Sequence, residues 1–117
     1  MAFTNISAQH IASSDGFEVL PGGRFAKIYK ENSHQMEIAL EFGRDDTGNV
    51  CVTLWPGAFA RWTDQSAVLS NEEQLRIENN FREAMAFAGL TTVIWDPRTE
   101  KYVDSAVYHG RLTATWE

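Results

Sequence analysis

A chain of 117 residues supports one hydrophobic core and leaves too little for a second domain. Sixteen acidic residues against ten basic ones give a formal charge of −6, which excludes the basic face that general nucleic-acid binding requires. The single cysteine, Cys51, excludes an intramolecular disulfide framework. Met1-Ala2-Phe3-Thr4-Asn5-Ile6 has neither the basic nor the apolar region of a secretory signal, and no apolar run reaches bilayer-spanning length. The expectation is a cytoplasmic protein with no membrane association.

Residues 1–14 are polar and rich in small side chains, and read as a loosely held N-terminal arm of a single domain spanning 1–117. Phe17 to Leu20 forms a short strand, stopped by Pro21-Gly22-Gly23. Arg24 to Lys30 is a second, with Phe25, Lys27 and Tyr29 on one face. After the turn Glu31-Asn32-Ser33-His34, the run Gln35 to Phe42 alternates strictly: Met36, Ile38, Leu40 and Phe42 point one way and Gln35, Glu37, Ala39 and Glu41 the other. That pattern belongs to a sheet with one buried and one wet face. The polar turn 43–49 closes a hairpin with Val50 to Trp55, whose aliphatic set is the better inward face, leaving Trp55 outside. Phe59 to Trp62 reads as a short edge strand before a polar loop.

Leu69-Ser70-Asn71-Glu72-Glu73 then opens the one clear helix. Ser70 and Glu73 have capping-box spacing, Ile77, Phe81, Ala84, Met85 and Ala88 recur at helical spacing, and Gly89 stands at the C′ position. Glu72, Glu73, Arg76, Glu78, Asn79, Arg82 and Glu83 make its polar face, with Glu78 and Arg82 spaced as a surface pair. Thr91 to Trp95 and Tyr102 to His109 form a closing hairpin, with Leu112 to Trp116 as an edge. The fold class is α+β: a mostly antiparallel sheet of five to six strands with one long helix, about 71–88, on one face.

Catalytic chemistry finds no motif. His10, His34 and His109 have no second ligand at metal-site spacing, so no metal and no cofactor is expected. No G-x-S-x-G elbow is present, and Cys51 lies inside a strand rather than at a helix start. Asp45-Asp46 and Glu72-Glu73 are explained as turn and helix-start residues. No catalytic residue is assigned, and the chain is not expected to be an enzyme. The aromatics say more. Trp55, Trp62, Trp95 and Trp116 lie at or near strand ends; Trp62 with Asp64 and Trp95 with Asp96 pair a flat anchor with charge, as an interface against a basic partner would.

The block Val52-Thr53-Leu54-Trp55…Phe59-Ala60-Arg61-Trp62, followed by Leu69 to Phe87 with its Ile77-x-x-Asn80-x-x-x-Ala84-x-x-Phe87 helix, resembles small immunity proteins of bacterial polymorphic toxin systems. The resemblance covers about a third of the chain and implies a non-enzymatic protein that occludes a cognate toxin, with a basic nuclease domain as one candidate partner. Trp55, Trp62, Asp64, Trp95 and Asp96 are the candidate partner-binding residues of a monomer or weak homodimer. The alternative is a small-molecule-binding or enzymatic domain with a pocket between helix and sheet, to which Tyr102, Tyr108 and His109 would contribute.

Overall fold

The structure, a computed structural model, describes residues 2–7, 10–44, 47–55, 57–96 and 98–104; of Ser7 and Trp95 only the backbone is described. Eight strands form one sheet in chain order: β1 (Phe3–Ser7), β2 (His10–Ser13), β3 (Phe17–Pro21), β4 (Ala26–Glu31), β5 (His34–Arg44), β6 (Val50–Leu54), β7 (Thr91–Asp96) and β8 (Lys101–Asp104). Every neighbouring pair is antiparallel except β6 and β7, which run parallel. A parallel pair needs a crossover, and helix α1 (Asn71–Phe87) supplies it.

The sheet exceeds the expected five to six strands because the N-terminal segment is not a loose arm. Phe3 to Ser7 pairs with His10 to Ser13, and Ser14 N donates to Ala2 O at 2.8 Å. Ile11 is buried and Phe3 packs against the core, so two apolar side chains suffice to attach this hairpin to the sheet edge. At the other end, β8 is described as far as Asp104; the expected strand Leu112 to Trp116, and the Asp45-Asp46 turn, lie outside the described residues. The stretch Phe59 to Trp62 forms turns rather than an edge strand.

Alternation decides the faces. Val19 pairs with Tyr29, Tyr29 with Met36, Lys27 with Ile38, Leu40 with Leu54 and Leu54 with Ile94, so these residues share the face beneath the helix. Against them α1 lays Ile77, Phe81, Ala84 and Met85, all essentially without solvent contact. The helix starts where its cap is best: Ser70 Oγ accepts the Glu73 backbone N–H at 3.2 Å. It ends in a Schellman closure, with Leu90 N donating to Met85 O at 2.9 Å and Gly89 N to Ala86 O at 3.0 Å. That closure needs the left-handed backbone Gly89 adopts, at φ +81°.

Two expectations about the helix change. Glu78 is buried rather than on the helix surface. The salt-bridge partner of the polar face is Arg76, which reaches both Glu73 on its own helix and Glu31 on β4. In β6 both faces are covered: Val52 and Leu54 are buried beneath the helix, and Cys51 and Thr53 are buried on the reverse, while Val50 stays exposed.

Candidate functional site

Between β6 and α1 the described residues, 55 and 57–70, form no helix or strand yet are tied to the core at several points. Phe59 and Trp62 drop into the core, with Phe59 edge-on to Phe81 of the helix. Thr63 N donates to Gln35 O and Leu69 N to Ala60 O, each at 2.7 Å. Trp62 stacks between Tyr29, at 6.2 Å between ring centroids, and His34, at 5.4 Å. Pinned from below, the connector carries Trp55, Arg61, Asp64 and Val68 outward. A connector of this length inside a small domain is more often functional than incidental.

The candidate residues therefore separate. Trp55 is 37% exposed and Asp64 is exposed, so both are available on the connector surface. Trp62 is only 7% exposed and closes the core from above. Asp96 has no exposure at all; its carboxylate accepts the Arg98 backbone N–H at 3.0 Å and the Thr99 hydroxyl at 3.3 Å, fixing the β7–β8 turn. Trp62 thus presents little surface and Asp96 none. The Trp95 side chain lies outside the described residues.

Beside the connector sits a polar cluster at the helix–sheet seam. Tyr29, fully buried, donates its hydroxyl to Glu31 Oε1 at 2.6 Å and accepts from Asn80 Nδ2 at 3.1 Å. Arg76 donates to both Glu31 oxygens, and to Glu73 from the same guanidinium. The Arg76 hydrogen bonds hold the Glu31 carboxyl below its usual range despite partial burial. Burial, reinforced by the bond to Glu31, pushes the Tyr29 hydroxyl well above the ordinary tyrosine value. Both shifts fix protonation states and hold the helix in register on β4.

Pockets between helix and sheet exist, and one lies beside the closing hairpin, lined by Arg82, Glu83, Thr91, Thr92 and Asp104. Tyr102 is exposed on β8, and Tyr108 and His109 lie outside the described residues. A second pocket opens at the C-terminal end of α1, about 420 Å³ in volume, walled by Ile11, Phe42, Met85, Phe87, Ala88 and Leu90, with Asn5 and Lys27 as its polar groups. Lys27 is 6% exposed, and its ammonium sits 5.9 Å from the Phe42 ring centroid. Burial lowers its pKa from the usual lysine value. The sequence placed Lys27 on one face with Phe25 and Tyr29; Tyr29 is buried with it, whereas Phe25 stays exposed.

Among the described residues, no three His, Cys, Asp or Glu side chains gather as metal ligands would. No helix among them is long and apolar enough to cross a membrane. Against known protein families, curated proteins and solved structures, the chain matches none.

Proposed function

We propose that this protein is an immunity-type binding protein that neutralises a cognate bacterial toxin by occluding it, without catalysis and in the cytoplasm. The observation that carries the reading is the connector 55–70. It lies within the block that resembles immunity proteins, is fixed to the core through Phe59 and Trp62, and presents Trp55, Arg61, Asp64 and Val68 to solvent. A rigid surface loop with an exposed Trp and Val lowers the ordering cost of association, and an aromatic anchor of this kind commonly dominates an interface. The net charge of −6 favours encounter with a basic partner, as a nuclease domain would be.

The test is co-purification and inhibition with the polypeptide encoded immediately upstream of this chain. The expected result is a one-to-one complex and loss of that polypeptide's toxicity. Trp55→Ala should then weaken the complex by about tenfold or more, the range of an interface anchor. A toxin that stays fully active with excess protein present overturns the proposal.

A further inference from the structure

Lys27 is an expensive residue where it stands. Its side chain is largely buried while the ammonium keeps some contact with solvent, and among the described residues no carboxylate is within ion-pair distance of it. Its one recorded polar interaction is with the face of Phe42, a weak substitute for an anion. The space beside it is a cavity of about 420 Å³, within the range of small-molecule sites, and apart from Asn5 its other walls are apolar: Ile11, Phe42, Met85, Phe87, Ala88 and Leu90. Two of those walls, Phe42 and Phe87, are 54% and 43% exposed, an unusual cost for aromatics unless something covers them. A cation without a carboxylate partner, at the wall of a largely apolar cavity, complements an anion with an apolar body.

We propose that this cavity binds a small monocarboxylate with an apolar body, the carboxylate pairing with the Lys27 ammonium and the tail lying between Phe42, Phe87, Met85 and Leu90. The pair forms against an apolar wall, and the tail covers it from water on binding, so it gains more than a fully exposed ion pair would. The apolar tail contributes by covering the exposed rings. The site lies at the C-terminal end of α1, whereas the connector precedes its N-terminal end. Ligand binding here and toxin binding there are therefore separate properties, and the failure of either leaves the other standing.

The experiment is calorimetric titration of the full chain with octanoate, with 1-octanol as the same tail without the charge, and with butyrate as the charge with little tail. Octanoate should bind about tenfold or more tighter than either, the worth of one charge-assisted pair added to the tail. Lys27→Met should bring octanoate down to the affinity of octanol. Phe42→Glu provides a second arm at an exposed position that leaves Lys27 in place. It supplies an internal carboxylate beside Lys27 and should lose octanoate binding by about tenfold or more while keeping the wild-type circular dichroism. Equal affinity for octanoate and octanol, undiminished octanoate binding by either folded variant, or no octanoate binding at millimolar concentration would each overturn the proposal.

Discussion

Arg76 and Glu31 meet as a two-pronged pair across the helix–sheet seam, Nη1 to Oε1 at 2.9 Å and Nη2 to Oε2 at 2.7 Å. They stand 45 residues apart in sequence, so the bond exists only when α1 has docked on β4. Glu31 is nearly enclosed, with a side chain 12% exposed, and it also accepts the Tyr29 hydroxyl. Arg76→Met would leave that carboxylate short of its main partner. Solvent access to Arg76, 43% exposed, screens part of the effect, so the expected loss is about 1–2 kcal/mol by urea unfolding.

The same pair gives an acid dependence with a definite sign. The folded-state pKa of Glu31 is depressed, chiefly by Arg76, so its contribution is fully present above the unfolded value of 4.5 and fades as pH falls below it through the folded value. Wild-type stability should therefore drop below that pH more steeply than that of Arg76→Met. Parallel curves for the two proteins would show that the pair contributes nothing to acid sensitivity.

Trp55 and Trp62 should behave as opposites. Trp62→Ala removes a ring stacked on Tyr29 and His34 inside the core, and should cost about 3–5 kcal/mol of unfolding free energy. Trp55→Ala removes a surface ring and should stay within about 0.5–1 kcal/mol of wild type in the same measurement. A strongly destabilised Trp55→Ala would mean that this ring is structural, and its use as a docking anchor would fail with it.

That division explains what could be read from residue order and what could not. The helix was legible because Ser70, Glu73 and Gly89 are local signals acting on local backbone bonds. Strand β5 was legible because Met36, Ile38 and Leu40 alternate with polar residues. The first two strands were not, since Phe3 and Ile11 are too sparse to set a period, and pairing with a neighbour supplies the rest. Trp62, Asp96 and Glu78 carry no mark of burial in the sequence; chain segments distant from each of them close over it. Lys27 is the sharpest case. Its charge reads as surface, and the register with Ile38 takes it inside.

The β4–β5 turn holds Asn32 at φ +50° and Ser33 at φ +68°, the two positive angles of a type I′ hairpin. Asn accepts this region readily, whereas Ser does so at a cost. Ser33 is exposed, so nothing is lost by trimming its side chain. Ser33→Gly should therefore stabilise the protein by about 0.5–1 kcal/mol, after the extra freedom glycine gives the unfolded chain is deducted. Thermal unfolding at matched conditions measures it, and a lowered midpoint would show that the Ser33 side chain does something the turn geometry does not reveal.

Lys27→Met separates two forces that act on the same ammonium. The last turn of α1 has no basic residue, and a cation from β4 near its end offsets the helix dipole by about 0.3–1 kcal/mol. Partial burial of that cation without a carboxylate acts in the opposite sense. Burial outweighs the dipole, so the methionine variant should be the more stable protein, by about 1 kcal/mol or less in urea near neutral pH. The sign with pH follows from the direction of the shift. The folded-state value is lowered, so between it and the unfolded value of 10.5 the unfolded chain holds more proton, and wild-type stability rises with pH through that window. The advantage of Lys27→Met should accordingly shrink as pH is raised, while groups common to both proteins cancel in the difference. An advantage that stays constant with pH would mean that Lys27 keeps its ordinary pKa, and a variant less stable than wild type would mean that the ammonium has a partner strong enough to offset its burial.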